Sequence, residues 1–127
     1  MSQEKMLEKK VWAVIGANQD DDKFGCKIYK RLKSRGYDVY AVNPAYEEVD
    51  GDKCYKDLSS LPKVPDVIEM VVSPKRGKEY VEEAARLGVR NVWLQPGTCD
   101  EELLQLAKSL GFEVVQSCVL VATKQDN

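Results

Sequence analysis

The chain of 127 residues contains no histidine. That excludes Ser-His-Asp and Cys-His catalysis within a single chain. It also leaves no imidazole to complete a mixed zinc site with the four cysteines, Cys26, Cys54, Cys99 and Cys118. These are widely spaced and form no C-x-x-C pair, so neither a zinc knuckle nor a redox dithiol is encoded. Long apolar runs are missing too. The longest uncharged apolar stretches reach about six residues, far short of a membrane-spanning helix. Met1–Lys10 is charged throughout and lacks the apolar core of a secretory signal. The expected location is therefore the cytoplasm, where the cysteines stay reduced. Charge of one sign is scarce as well: 19 basic and 21 acidic residues give a net charge of −2. No basic excess is available to neutralise phosphates of a nucleic acid, and neither nucleic acid nor membrane is expected as a partner.

The chain does contain four apolar runs that end in small or cyclic residues. VWAVIG (11–16) runs into Ala17-Asn18, and DVYAVN (38–43) into Pro44. VIEMVVS (67–73) runs into Pro74, and VRNVWLQ (89–95) into Pro96-Gly97. As parallel strands, these runs would end on one rim of one sheet, the edge at which open α/β sheets bind ligands. They read as continuous apolar segments rather than alternating ones, as expected for a sheet covered on both faces.

A three-fold near-repeat supports this architecture. LKSRGYDVYAV (32–42), ARLGVRNVWL (85–94) and KSLGFEVVQS (108–117) each place Gly between a helical pattern and an apolar strand. Gly36, Gly88 and Gly111 would be the left-handed residues just past a helix end. Apolar periodicity predicts helices over 24–35, 74–87 and 99–110. Ser73-Pro74 and Thr98-Cys99-Asp100-Glu101 read as their start signals. Segment 44–65 reads as looser, with a helical turn near 57–61, and the tail 118–127 as frayed. The expectation is a single domain over 1–127, with its core at 11–120. Its class is α/β, a doubly wound, three-layer sandwich around a five-stranded parallel sheet in order 3-2-1-4-5. The switch point would then lie between the first and fourth strands. The Gly16 loop and the Gln95–Gly97 loop would flank one crevice.

The rim residues are of a kind that lets a ligand approach the backbone. Gly16 followed by a helix offers backbone N–H groups to an anion, although the G-x-G-x-x-G fingerprint is absent; a simple tight turn explains it equally. Lys23 could meet a diphosphate as a point charge. Enzymes that bind NAD usually carry Asp or Glu at the end of the second strand. This chain has Asn43 there, which removes the repulsion that a phosphorylated ribose would meet and favours coenzyme A or NADP over NAD. Asn-Pro is also a common turn initiator, and that reading stands beside the first. Asp20-Asp21-Asp22 suggests a metal. A receiver domain would also need an acceptor Asp after its third strand, where this chain has Val72-Ser73-Pro74; a solvated loop is the expectation, and no metal. Lys75 and Arg76 oppose the dipole of the helix they open, a small cost that a nearby phosphate would offset. No Ser/Thr-rich phosphate loop follows the first strand, which disfavours FMN. Cys118 could reach the rim, but without histidine its thiolate would need another activator. A small buried residue is the plainer reading.

Together these segments resemble the small stand-alone CoA-binding domain proteins with a Rossmann fold. Those are similar to the CoA-binding domain of the succinyl-CoA synthetase alpha subunit and of ADP-forming acyl-CoA synthetases. The resemblance rests on VIGAN with KFG (14–18, 23–25), GYDVYAVNP (36–44), GDKCYKDLSSLP (51–62), SP (73–74), GVRNVWLQPG (88–97) and SCVL (117–120). It implies coenzyme A laid across the strand ends. Gly16, Ala17, Asn18, Lys23, Phe24 and Gly25 would surround the diphosphate. Asn43 and Pro44 would border the adenosine. Val72, Ser73 and Pro74 would form the opposite wall, and Gln95, Pro96 and Gly97 would close the crevice. The chain departs from the family at Asn18, where Ser is frequent, and at Ser73, which replaces the first of two prolines. The synthetases use a phosphohistidine on a separate segment, and that activity does not carry over to a chain without histidine. The expected function is non-catalytic binding of coenzyme A or an acyl-CoA, with no catalytic residue. Two alternatives are an NAD(P)-binding module of a redox sensor and a Cys-dependent enzyme acting on CoA thioesters or disulfides. An interaction domain that has lost its ligand is a third. A homodimer or an unknown protein partner is compatible with all of them.

Overall fold

A computed structural model describes residues 3–124. The sheet is built outward from β1 (Val11–Ile15), which is buried from Trp12 onward. β2 (Asp38–Val42) pairs with one side of β1 and β5 (Val67–Met70) with the other, both parallel. Beyond β5 lie β6 (Asn91–Leu94) and β7 (Glu113–Gln116), also parallel. Beyond β2 lies β4 (Asp52–Tyr55), with β3 (Glu48–Val49) antiparallel to it at the edge. The order is β3-β4-β2-β1-β5-β6-β7, seven strands among the described residues.

Helices cover both faces, as a sheet with continuous apolar strands requires. One face packs Trp12, Val14 and Trp93 under α1 (Gln3–Met6), α2 (Phe24–Ser34) and α5 (Val119–Ala122). The other packs Ala13, Ile15, Ile68 and Met70 under α3 (Pro74–Arg86) and α4 (Glu101–Ser109). The three layers and the alternation of strand and helix follow the sequence expectation. Gly88 ends α3 with φ 89°, the left-handed value expected of it, and Gly36 and Gly111 repeat that geometry.

Five expectations are corrected. The sheet has seven strands, not five, and its order is not 3-2-1-4-5. The third apolar run, 67–73, supplies β5 beside β1, and the position beyond β2 belongs to β4. The physical reason is burial. β5 is buried at all four residues and needs neighbours on both sides, whereas β4, of the same length, is only partly buried, which suits an outer position. β4 had no legible period. Its signal was the Asp50-Gly51 turn, where both residues have positive φ (52° and 79°) and close a hairpin with β3. Second, the switch point lies between β1 and β5, so the Ser73 loop adjoins the Gly16 loop and the Gln95 loop is one strand further out. Third, the turn expected near 57–61 is present but not helical; the Asp57 carboxylate accepts from the Ser60 N–H at 2.9 Å and holds it. Fourth, within the described part of the tail, 119–122 is helical. Val119 is fully buried, and the Arg31 guanidinium donates to the Leu120 carbonyl at 2.8 Å. Residues 125–127 of the expected frayed tail lie outside the described residues. Fifth, α4 is capped by Asp100, which accepts from the Leu103 N–H at 2.8 Å, rather than by Thr98.

Candidate functional site

The ends of β1, β2, β5 and β6 share one rim, and each continues into a turn with a specific backbone requirement. Gly16 follows β1 with φ 100° and donates its N–H to the Val42 carbonyl at 2.9 Å. α2 then begins so close to this turn that a Cβ on Gly25 would lie 2.1 Å from the Gly16 oxygen. Only glycine fits that approach. After β6, Gln95-Pro96-Gly97-Thr98 forms a turn in which the Thr98 N–H donates to the Gln95 carbonyl at 3.1 Å and Gly97 takes φ 87°. Pro followed by a positive-φ Gly is the signature of a type II turn.

Two helices open on this rim without side-chain caps. Lys23 directly precedes α2 and Ser73 directly precedes α3; neither side chain caps its helix, and neither first turn holds an acid. α4, by contrast, carries the Asp100 cap and Glu101 and Glu102 in its first turn. The uncapped N–H groups and the positive dipole ends of α2 and α3 favour an anion between them.

A cavity of about 340 Å³ occupies this crevice, lined by Phe24, Val71, Val72, Ser73, Gln95, Pro96, Gly97, Thr98 and Cys118. It brings together six of the residues expected from the sequence: Phe24, Val72, Ser73, Gln95, Pro96 and Gly97. Phe24 is 58% exposed at its mouth. Pro44 lines a separate recess of about 690 Å³ with Tyr46, Lys53, Tyr55, Lys56 and Ser60. Gly16, Ala17, Asn18, Lys23 and Gly25 form the loop beside the cavity, and Pro74 is the first residue of α3. Asn18 accepts from the Asp20 N–H at 3.1 Å, and Lys23 is exposed.

Asn43 has both ends of its amide occupied. Its NH₂ donates to the Ala17 carbonyl at 2.9 Å, and its carbonyl oxygen accepts from the Ala45 N–H at 2.9 Å. It initiates a turn and ties the β2 end to the Gly16 loop. Both of its polar ends are thus engaged within the protein, and it remains uncharged. In the acidic run, Asp21 is paired with Lys30 at 2.6 Å. Among the described residues no group of three or more His, Cys, Asp or Glu side chains could hold a metal. No helix among them is long and apolar enough to cross a membrane.

The cysteines divide clearly. Burial raises the thiols of Cys26, Cys54 and Cys99. Burial also acts on Cys118. There it is outweighed by hydrogen bonds from the Gln95 side chain and from the backbone at Val121 and Leu120, and by the Arg31 charge, which leave the thiol below its ordinary value. Sequence reasoning missed Glu69 altogether. It sits in the middle of β5, fully buried, and neither carboxyl oxygen has a partner. Burial, and then the neighbouring Cys118, push its pKa well above the ordinary carboxylate value. The available signal was one charge inside the run VIEMVVS.

A doubly wound sheet with a glycine loop, two open helix ends and a crevice at its switch point defines a Rossmann-like, nucleotide-type binding domain. The chain belongs to the CoA binding domain family, whose model matches residues 10–124. It is 32% identical to acetate–CoA ligase [ADP-forming] I of Archaeoglobus fulgidus over 122 residues, covering 88% of this chain and 18% of the ligase. It is 33% identical over 127 residues to the alpha subunit of acetate–CoA ligase [ADP-forming] II of Pyrococcus furiosus, covering 91% of this chain and 28% of the subunit. The chain therefore spans less than a third of either relative. Among solved structures, a hypothetical protein from Pyrococcus horikoshii OT3 superposes with a TM-score of 0.88 at 34% identity, covering 97% of this chain and 89% of that one.

Proposed function

We propose that this chain is a cytoplasmic binding domain for coenzyme A or an acyl-CoA, with no catalysis of its own. The observation that carries the reading is the crevice between the open ends of α2 and α3 in a member of the CoA binding domain family. The diphosphate lies against Gly16–Asn18 and Lys23–Gly25. The adenosine passes Asn43 and Pro44 toward the recess lined by Tyr46 and Tyr55. The thiol-bearing arm enters the cavity walled by Val72, Ser73 and Pro74 on one side and Gln95–Gly97 on the other. Residues 11–120 form the core of this single binding domain. Ligation as named for the relatives is not proposed, because the chain has no histidine to carry a phosphoryl group.

Thermal shift with CoA, acetyl-CoA, NAD⁺, NADP⁺ and FMN at equal concentration tests the reading. A ligand at 100 times its dissociation constant adds about 2.7 kcal/mol to stability. The largest shift is expected with CoA or acetyl-CoA. No shift with either, or a larger one with NAD⁺, would overturn the proposal.

A further inference from the structure

Binding a nucleotide does not account for one wall of the cavity. Cys118 stands there with Phe24, Val71 and Gln95. Gln95 is buried and fixed: its side-chain oxygen accepts from the Val119 N–H at 2.7 Å, which turns its NH₂ toward the Cys118 sulfur. The Val121 and Ala122 N–H groups donate to the Cys118 carbonyl at 3.1 and 3.0 Å, and Arg31 holds this turn through the Leu120 carbonyl. Although burial opposes it, hydrogen bonding at this turn and the Arg31 charge hold the thiol below its ordinary value, the direction that favours a thiolate. Of the four cysteines, Cys118 alone has this environment and alone lines this cavity.

Glu69 is the second observation. It shares a sheet face with Val71, two residues further along, and Val71 lines the cavity. Its register partner Trp93 stands two residues before Gln95. Glu69 therefore occupies the row beneath Val71 and Gln95, on the side of the sheet that faces Cys118. Buried with no partner for either oxygen, its carboxyl is pushed toward the neutral form, which lessens its repulsion of a Cys118 thiolate. An orphaned polar group under a cavity floor is costly unless something uses it. At about 340 Å³ the cavity is at the small end of ligand sites, a size suited to a narrow arm rather than a whole nucleotide.

We propose that Cys118 captures the sulfur of the ligand, forming a reversible mixed disulfide with coenzyme A by exchange with a coenzyme A disulfide. The proposal rests on the coenzyme A reading above. Cys118 first loses its proton to solvent. Its thiolate attacks one sulfur of the disulfide; a new S–S bond forms to that sulfur and the old S–S bond breaks. The second coenzyme A leaves as a thiolate and takes a proton from water. Cys118 is oxidised, the departing sulfur is reduced, and the disulfide itself is the only oxidant. The step is stoichiometric, and a free thiol reverses it.

The test incubates the reduced protein with coenzyme A disulfide at neutral pH and follows intact mass. The expected result is a single adduct carrying one coenzyme A, removed by dithiothreitol and absent from Cys118→Ser. Formation should be at least ~10-fold faster than with hydroxyethyl disulfide, because binding raises the local concentration of the reacting sulfur. Desulfo-coenzyme A, which binds but has no sulfur, should slow it. An adduct on another cysteine, equal rates with both disulfides, or no adduct would overturn the proposal. Peptide mapping of the wild-type adduct identifies the cysteine even where Cys118→Ser fails to fold. A thermal shift with desulfo-coenzyme A separates the two readings. A shift without an adduct sinks the capture and leaves binding standing; no shift sinks both.

Discussion

Gly25 lies directly against the carbonyl of Gly16, with room for a hydrogen and nothing larger: a Cβ would sit 2.1 Å from that oxygen. The first turn of α2 is thereby pressed onto the end of β1, and residues 17–23 loop out over the rim. The open end of α2 is aimed by this contact, so the anion-binding character of the crevice depends on a pair of glycines that carry no functional group.

Gly25→Ala should therefore cost about 1–3 kcal/mol of stability, since backbone on both sides of the contact must move. It should also weaken coenzyme A by more than ~10-fold, because the helix end is displaced from the diphosphate. Urea denaturation and ligand titration check the two effects separately. Unchanged affinity in a folded Gly25→Ala would break the link between this contact and the site.

Asn43→Ala should lose about 1–3 kcal/mol by leaving the Ala17 carbonyl and the Ala45 N–H without their partners. Asn43→Asp keeps the acceptor for Ala45 but sets a carboxylate against the Ala17 carbonyl. That variant should be least stable above neutral pH and recover as acid restores a donor. It should gain no affinity for NAD⁺, because the side chain is occupied within the protein. A gain measured by thermal shift would support the reading of Asn43 as a selector against NAD.

Asn43 illustrates where sequence reading stops. Its place at the end of a strand was legible from the apolar run that precedes it, and so was the rim as a whole. Gly36, Gly88 and Gly111 marked three helix-to-strand joints, and all three take the left-handed conformation. The partners of Asn43 come from Ala17 and Ala45, and no periodicity encodes a contact with Ala17, 26 positions away. β4 was missed for a related reason. Four residues, one buried and two half-buried, are too few for a period to emerge, and only the Asp50-Gly51 hairpin signalled them. Once β4 is placed beyond β2, the order of the remaining strands follows. Glu69 and Cys118 are ordinary letters in the sequence; burial and the folding back of α5 make them unusual.

Lys23→Ala should weaken coenzyme A by about 5-fold, or ~1 kcal/mol, as expected for one exposed point charge near a diphosphate. Pantetheine, which has no phosphate, should bind the variant and the wild type alike. The loss for coenzyme A should shrink with added salt, since the lysine is exposed and its field is screened. Equal weakening of both ligands in calorimetric titrations would remove Lys23 from the diphosphate site.

Glu69 makes stability depend on pH in a direction opposite to that of most carboxylates. Burial raises its pKa in the folded state well above the ordinary value of 4.5 that it regains on unfolding. Between those two values the folded chain holds a proton that the unfolded chain has released. Unfolding then releases a proton, so stability falls as pH rises, by up to about 1.4 kcal/mol per pH unit for this one group. The stability is fully present below pH 4.5 and is lost progressively above it, until the folded-state pKa is passed. Glu69→Gln preserves the shape, cannot titrate, and carries only a constant cost for its buried amide. The difference in unfolding free energy, Glu69→Gln minus wild type, should therefore climb as pH rises above 4.5 and level off once the folded-state pKa is passed, in urea denaturation across a pH series. A flat difference would mean that Glu69 is ionised throughout that range, with a partner or a solvent path that leaves it no reason to hold its proton.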